Sequence, residues 1–374
     1  MTDPAVGADT SPAPVPRGRV PAVSRAATVL QSVCDAGRPM ALAELAEVTA
    51  IPKSSVMGIC HALTHEGLLS RGVDGTYAVG PRVYEVASTA RAQYRPVHDI
   101  GFTYPLDETF FLAEIAALRD EAARLGARRH AHTAGEDTRE QSRRIDEFVD
   151  RAMDLIIVEP VATDGLQATC ARARAARIPV VALGSAVSGA DAVVATDNTK
   201  AGSLAGGALM RALGGRGRVA VVGGIPITAN ADRIAGCLAA VSRHPGVEVV
   251  ATSHGELDAP SGQRAAEEVL DGHPEVDGFF ASNDQIAIGI SRVLRGRGLS
   301  VPIVGVDGAR GAVEEIRDGG PIVATATQDP RALALEALDV GTALHRGTRI
   351  TRSSVYLSPR LIDARNATEY VPWG

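Results

Sequence analysis

The sequence predicts an α/β protein in which a small helical segment precedes a long segment with a doubly wound parallel sheet. Two patterns predict this class. Apolar residues recur at helical spacing over residues 22–66, and from residue 97 onward strand-like and helix-like runs alternate. Apolar residues make up 45% of the 374 residues and aromatic residues only 3%, so the cores are predicted to consist of Ala, Val, Leu and Ile.

Residues 1–21 are predicted to form a disordered tail because they are rich in Pro, Ala, Ser and Thr. They contain no apolar h-region, so we do not expect a secretory signal, and no apolar run in the chain is long enough for a membrane-spanning helix. The cysteines Cys34, Cys60, Cys170 and Cys237 are far apart, which argues against a disulfide framework and a zinc site. We therefore expect a cytoplasmic protein with no metal and no cofactor.

Residues 22–87 have the pattern of a winged helix-turn-helix domain. Apolar residues at 26, 29, 30 and 33 predict a first helix, which ends at Gly37-Arg38-Pro39. A second short helix and a third that begins at Lys53 are separated by the turn Ile51-Pro52, which is the helix-turn-helix arrangement. Short strands on either side of Asp74-Gly75 then predict a hairpin, the wing. The alternative is a small helical cap that contacts no nucleic acid.

This domain resembles the DNA-binding domain of the IclR family of bacterial transcription regulators. The resemblance rests on the stretches VSRA (23–26), GRPMALAELA (37–46), IPKSSV (51–56) and GTYAVGPR (75–82). It places Lys53 at the N-terminus of the recognition helix, where hydroxyl and backbone N–H groups contact phosphates. Met57-Gly58 departs from the polar or basic residues common there, so base readout is expected to rest on Ser55 and His61, or on contact of Met57 with a thymine methyl. The DNA-binding residues that the resemblance implies are Arg25, Lys53, Ser54, Ser55, Met57, His61 and Arg71.

Two alternatives stay open within this set. The alternative for Met57 is a position in the core, and the alternative for His61 is a solvated surface position without a role. The net charge of the chain is −6, but residues 22–95 hold seven Lys and Arg against six Asp and Glu, and this small local excess is weak support for phosphate binding.

Residues 88–96 are predicted to be a linker, and residues 97–374 a domain of two lobes. Ten strand-like runs alternate with helix-like runs, and ten strands are more than a single doubly wound sheet usually contains. We therefore expect lobe 1 over about 97–196 and 329–357 and lobe 2 over about 197–328 plus the C-terminal segment. Ligands of such folds bind beyond the carboxyl ends of the strands. The segment has no nucleophile elbow, HExxH, P-loop or dinucleotide-binding loop, so no enzyme is predicted.

This long segment is similar to periplasmic sugar-binding proteins of the ribose-binding type, and to the effector domains of LacI-type repressors. The matching stretches are DETFF (107–111), EPVATD (159–164), DN (197–198), ASNDQIAIG (281–289), GVDG (305–308) and TQDP (327–330). These families have an arginine that contacts the ligand, and its matching position in this sequence is either Arg233 or the neighbouring Asp232. We prefer Arg233. The ligand-binding residues that the similarity implies are Glu108, Phe110, Phe111, Glu159, Arg233, Asn283, Asp307 and Gln328.

The departures from that family bear on the ligand. Gly184-Ser185 stands where the ribose type has an Asp-Arg pair, and Glu108 and Glu159 stand where the family often has Asn. The predicted pocket thus loses an arginine and gains carboxylates, which disfavours acidic or phosphorylated ligands and favours a neutral polyol or a ligand with an amine. The alternative is that Glu108 and Glu159 point to solvent at the mouth of the cleft.

Together the two resemblances imply a bacterial one-component transcription regulator. It is expected to bind double-stranded operator DNA as a homodimer and to sense a small sugar, polyol or amino sugar between the lobes. Closure would then change the spacing of the two DNA-binding heads. The alternatives are a C-terminal domain that only dimerises and takes no ligand, a solute-binding receptor, and an enzyme of the doubly wound class.

Overall fold

A computed structural model describes residues 20–91, 95–348, 350 and 352–374. The chain divides into two compact units between Arg95 and Pro96. Most of the predicted tail lies outside the described residues, and Pro21 at its end already belongs to the first helix. In the described ranges, no helix combines the length and the apolar composition that crossing a membrane requires.

The N-terminal unit is a winged helix-turn-helix domain, as predicted. Its elements are α1 (Pro21–Ala36), α2 (Leu42–Thr49), α3 (Lys53–His65), β1 (Leu69–Arg71), β2 (Tyr77–Val79) and α4 (Pro81–Arg91). Val29, Leu45, Val56 and Tyr77 form the centre of its core, so that one face of each of the first three helices is buried. Ala50, with φ of 53°, makes the tight turn between α2 and α3.

The wing is an antiparallel pair in which Leu69 lies opposite Val79. Its turn is held by Asp74, whose Oδ1 accepts hydrogen bonds from the backbone N–H and the hydroxyl of Thr76 at 3.1 and 2.7 Å. After the wing, α4 runs to Arg91 and therefore continues into the segment 88–96 that was predicted as a linker.

The C-terminal unit alternates strands and helices along almost its whole length. Its first part contains β3 (Asp99–Tyr104), α5 (Thr109–Arg124), β4 (Arg128–Thr133), α6 (Thr138–Asp150), β5 (Leu155–Val158), α7 (Gln167–Ala175), β6 (Val180–Leu183) and β7 (Ala192–Thr196). Its second part contains α8 (Asn198–Ala212), β8 (Arg216–Gly223), α9 (Thr228–Val241), β9 (Gly246–His254), α10 (Ala259–Gly272), β10 (Gly278–Ala281), α11 (Asp284–Gly296), β11 (Ile303–Asp307), α12 (Arg310–Arg317) and β12 (Ile322–Thr327). Its last elements are α13 (Pro330–His345), β13 (Ser354–Leu357) and β14 (Leu361–Asp363).

These strands form two six-stranded sheets, one in each lobe. Lobe 1 has the order β13-β7-β6-β5-β3-β4 and lobe 2 the order β14-β12-β11-β10-β8-β9. Among the described residues, neighbouring strands of these two sheets pair in parallel, except β12 with β14, which pair antiparallel. The chain passes between the lobes three times, after β7, after β12 and after β13, and the carboxyl ends of both sets of parallel strands border the space between the lobes.

Candidate functional site

A cavity lies between the two lobes at the carboxyl ends of their strands. Its enclosed space, measured by where the centre of a water-sized sphere fits, is about 50 Å³, which is room for a few water-sized groups. All eight residues that the sequence predicted for ligand binding line it. The lining residues are Glu108, Phe110, Phe111, Glu159, Gly184, Ser185, Ile227, Ala229, Asn230, Arg233, Leu257, Asn283, Asp307 and Gln328.

The wall from lobe 2 is organised around Asp307 and Arg233, which are both buried. Asp307 Oδ1 accepts a hydrogen bond from Gln328 Nε2 at 2.7 Å and lies 3.4 Å from Arg233 Nη1. The guanidinium also donates to Asn198 Oδ1 and to the carbonyl of Ser282, both at 2.8 Å. Burial raises the pKa of Asp307 to about 6, although Arg233 and the bond from Gln328 oppose the rise. The backbone of Asp307 has φ of 133°, a strained conformation that is found mostly where function requires it.

Two predicted ligand residues use their side chains to cap helices. Asn283 caps α11, since its Oδ1 accepts from the N–H of Ile286 at 2.8 Å, and its Nδ2 donates to the carbonyl of Leu257 at 2.9 Å. Glu108 caps α5, with Oε2 accepting from the N–H of Phe110 at 2.9 Å. Each side chain thus has part of its hydrogen-bonding capacity left for a ligand. Glu108 is half-buried at the cavity and does not point freely into solvent.

The wall from lobe 1 holds Glu159, of which only 5% is exposed. Its Oε2 has no hydrogen-bond partner among the described residues. Gln141 fixes the loop that carries it, donating to the Glu159 carbonyl at 2.8 Å and accepting from the Val161 N–H at 2.9 Å. Gly184 borders the same carboxylate so closely that an added Cβ would lie 2.2 Å from Oε1. The glycine at the position of the family's aspartate therefore makes room for Glu159.

Behind Glu159 lies a second carboxyl group, Glu114, which the sequence analysis did not identify. It is fully buried on α5, and neither of its oxygens has a partner among the described residues. Burial raises the pKa of Glu114 well above its usual range, and the charge of Glu159 raises it further. Burial also raises the pKa of Glu159, against the opposing effect of Arg233.

The two lobes are in contact beside the cavity at the N-terminus of α9. The N–H of Ala186 donates to Thr228 Oγ1 at 3.0 Å, the N–H of Thr228 donates to Thr163 Oγ1 at 3.1 Å, and the N–H of Ala229 donates to Ser185 Oγ at 3.3 Å. Each bond joins a residue of lobe 1 to one of lobe 2. The unit is therefore in a closed conformation.

Trp373, the only tryptophan of the chain, also joins the lobes. Its Nε1 donates to the carbonyl of Asp307 in lobe 2 at 3.0 Å. Its ring meets Phe110 of lobe 1 edge to face, with centroids 5.3 Å apart. Phe110 in turn packs edge to face on Phe111 at 5.7 Å. The cavity thus has an aromatic side next to its polar wall.

In the N-terminal unit, α3 presents a continuous exposed face formed by residues 53, 54, 57, 58 and 61. Met57 is 44% exposed and therefore is not a core residue. Ser55 is half-buried, and no side chain caps the N-terminus of the helix. Arg25 is exposed on α1, while Arg71 of the wing lies over the ring of Tyr77, 5.9 Å from its centroid.

Comparison with known families agrees with this architecture. The family model for the periplasmic binding protein domain matches residues 100–349, which is more than half of the chain, and the model for the IclR helix-turn-helix domain matches residues 22–72. The chain belongs to the periplasmic binding protein domain family. Its C-terminal unit is the binding-protein domain, and its N-terminal unit is an IclR-type helix-turn-helix domain. Both matching families are families of binding domains.

The relatives of the binding-protein domain include transport proteins. The ribose import binding protein RbsB of Bacillus subtilis is 26% identical over 250 residues, which cover 66% of this chain and 81% of the relative. A solute binding protein of Mycobacterium smegmatis, solved with bound glycerol, is 30% identical with a TM-score of 0.71, covering 74% of this chain and 98% of that one. One from Bacillus halodurans, solved with bound myo-inositol, is 25% identical with a TM-score of 0.69, covering 73% of this chain and 96% of that one.

Sequence reasoning missed several residues of the binding-protein site. Glu114 had a detectable signal, because it follows Phe110 by four positions and precedes Leu118 by four, which puts a carboxylate on the buried face of α5. Trp373 had no sequence signal other than being the single tryptophan. Asn230 and Leu257 approach the cavity only through the tertiary fold, so the local sequence gave no indication of them.

Proposed function

We propose that the chain is a transcription regulator whose winged helix-turn-helix unit binds operator DNA and whose binding-protein domain senses a small sugar or polyol. One observation carries the proposal: a DNA-binding domain of the IclR type and a binding-protein domain with a formed interlobe cavity occur in the same chain. DNA binding also leads us to propose a cytoplasmic protein, and the symmetry of bacterial operators leads us to propose a homodimer.

The composition of the cavity supports a small polyhydroxylated ligand. Hydroxyl groups both donate and accept, so they match the mixed polar wall of Asp307, Gln328 and Arg233, and the rings of Phe110 and Phe111 suit the apolar face of a sugar. The names of the relatives agree, since they include ribose import, xylitol-binding and D-apiose import binding proteins. A role like that of LacI-type effector domains is part of this proposal.

The exposed face of α3 supports the DNA-binding half of the proposal. Lys53, Ser54 and the uncapped N-terminus of α3 offer a cation, a hydroxyl and backbone N–H groups for phosphate contacts. Met57 and His61 follow one and two turns later on the same face and are exposed for contact with base edges. Arg25 and Arg71 extend the set to α1 and the wing, while Ser55 contributes from a half-buried position.

The test is to select DNA from a random-sequence pool with the purified full chain and then measure its affinity by fluorescence anisotropy with and without ligand. Ligands come from a panel of sugars, polyols, amino sugars and sugar phosphates screened by thermal unfolding, in which a ligand at about 100 times its Kd stabilises by about 2.7 kcal/mol. We expect Lys53→Gln to weaken binding to every sequence and to reduce the salt slope by about 1. Arg292→Gln, which removes an exposed charge from the binding-protein domain, is the matched control and should change neither.

Three results would count against the proposal. If no sequence is enriched and Lys53→Gln binds DNA as well as its parent, the N-terminal unit is not a DNA-binding head. If a ligand stabilises the protein but leaves the DNA affinity unchanged at saturation, the domain does not regulate. If nothing in the panel stabilises the protein while DNA binding is intact, the C-terminal domain serves dimerisation alone.

A further inference from the structure

The buried ionisable side chains of the described residues are concentrated around the cavity. Among the Asp, Glu, Lys and Arg side chains, the buried ones are four carboxyl groups and one guanidinium: Glu114, Glu159, Asp284, Asp307 and Arg233. Glu159, Asp307 and Arg233 line the cavity, and Glu114 and Asp284 interact electrostatically with Glu159 and Asp307 from behind. One cation therefore faces four acids. The cavity therefore lacks positive charge to compensate its acids.

The hydrogen-bond inventory has the same imbalance. Asp284 is satisfied, since it accepts from the Ala309 N–H at 2.8 Å and from the Thr325 hydroxyl at 2.7 Å, and Asp307 accepts from Gln328. The buried unpartnered polar atoms of the lining residues are Glu159 Oε2 and Asn230 Oδ1, both acceptors. Both oxygens of Glu114 are unpartnered as well. Of these atoms, Glu159 Oε2 and Asn230 Oδ1 belong to lining residues, so a ligand with N–H donors can supply the partners that they lack.

The edge of the cleft is acidic on both lobes. Glu136 follows β4 in lobe 1, and Glu256 and Asp258 flank the lining residue Leu257 in lobe 2. Partial burial raises the pKa of Glu136, and the charges of Glu256 and Asp258 add to the rise, so the three carboxylates are near enough to repel one another. Acids that converge from both lobes attract cations towards the cleft and repel anions.

We propose that the ligand carries a cationic nitrogen and that Glu159, supported by Glu114, is the group that selects it over the neutral polyol of the same skeleton. The inference rests on the proposed function and narrows its ligand class to amino polyols and amino sugars. An ammonium group brings one positive charge and up to three N–H donors to Glu159 and Asn230. An acidic or phosphorylated ligand would add charge to a wall that already has an excess of carboxylates.

Binding of such a ligand is coupled to release of a proton. In the empty closed cavity, burial favours the protonated form of both Glu114 and Glu159, the charge of Glu159 favours it further at Glu114, and Arg233 opposes it at Glu159. When the ammonium group binds, Glu159 ionises and forms the ion pair, and its proton passes to solvent. A neutral polyol has no charge to stabilise the carboxylate, so it binds without this release.

The experiment is isothermal titration of the full chain with matched pairs of probes that differ only by an amine: serinol and glycerol, D-glucosamine and D-glucose, 1-amino-1-deoxy-D-sorbitol and D-sorbitol. D-Gluconate serves as the acidic probe. Each titration is run in two buffers of different ionisation enthalpy, which gives the number of protons released. We expect the amine of the best pair to bind about tenfold more tightly than its neutral partner or better, with proton release for the amine alone.

The variant Glu159→Gln keeps the shape of the side chain and removes its charge, so we expect it to abolish both the preference and the proton release while neutral probes still bind. If Glu159→Gln does not fold, Glu114→Gln replaces it, and we expect a smaller proton release with the preference for the amine kept.

A neutral probe that binds as tightly as its amine, or gluconate that binds more tightly than either, overturns the inference and leaves the proposed function standing. If no probe in the three pairs binds, the inference and the sugar-sensing half of the proposed function both fail.

Discussion

Replacing Asp307 by Asn is expected to stabilise the ligand-free protein at neutral pH. The folded pKa of Asp307 is about 6 against an ordinary value of 3.8, with burial as the main cause. The folded state therefore holds more protons than the unfolded state between these values, and stability falls as the pH rises through this window. At 1.36 kcal/mol per pKa unit the carboxylate costs about 3 kcal/mol once the pH is above 6.

Asparagine removes that cost without changing the shape of the side chain. It tolerates the positive φ at this position as well as aspartate does, and its amide oxygen still accepts from Gln328. We therefore expect Asp307→Asn to be more stable than the parent by up to about 3 kcal/mol at pH 7.5, with the difference vanishing near pH 4. Ligand affinity should fall at the same time, which is the usual exchange between stability and function at a binding site.

The assay is urea unfolding of the ligand-free protein at several pH values, followed by the fluorescence of Trp373, which reports on the C-terminal unit. Asp99→Asn is a control of opposite sign, because hydrogen bonding to Arg128 lowers the pKa of Asp99 to about 2. That variant should lose stability at neutral pH, by less than about 2 kcal/mol since Arg128 is exposed and the pair is screened. An Asp307→Asn protein that is no more stable than its parent at pH 7.5, with a parallel pH profile, would refute the reasoning.

Three further outcomes are expected. Thr228→Val removes the acceptor of one interlobe hydrogen bond and should weaken every ligand by about fivefold in calorimetry, whereas Thr228→Ser should not. Trp373→Phe keeps the ring near Phe110 but loses the bond to Asp307, so thermal unfolding should show a loss of about 1 kcal/mol. Leu45→Ala leaves a cavity in the core of the N-terminal unit and should cost it about 2–5 kcal/mol in denaturant unfolding, while the stability of the C-terminal unit stays unchanged.

The central strands were predictable because their sequence signal is continuous. Strands β5, β6 and β10 each coincide with a short apolar run in the sequence and are buried on both faces. Strands β8 and β9 extend beyond their apolar runs to residues such as Arg216 and His254, because pairing with each other supplies their backbone hydrogen bonds. Helix α13 begins at Asp329-Pro330, which is a helix start signal, and Asp329 caps it.

The sequence allowed a better prediction of which residues line the cavity than of which groups those residues contact. Strand-end positions brought Glu108, Glu159 and Asn283 to one cavity, because the carboxyl ends of parallel strands meet at one edge of each sheet. The sequence does not tell that Asn283 and Glu108 cap helices or that Glu159 is buried against Glu114. These interactions depend on packing between elements that are far apart in the chain.

The carboxyl groups of the cavity also explain why closure can depend on a ligand. Buried acids without partners oppose folding and are ordinarily kept out of a core. In an open conformation Glu159, which lines the cavity, would be hydrated, whereas the closed lobes leave its Oε2 without a partner among the described residues. A ligand can shift such an equilibrium only by its differential affinity for the two states. Because closure is what removes water from Glu159 Oε2, a donor-rich ligand that satisfies this oxygen gains affinity in the closed state.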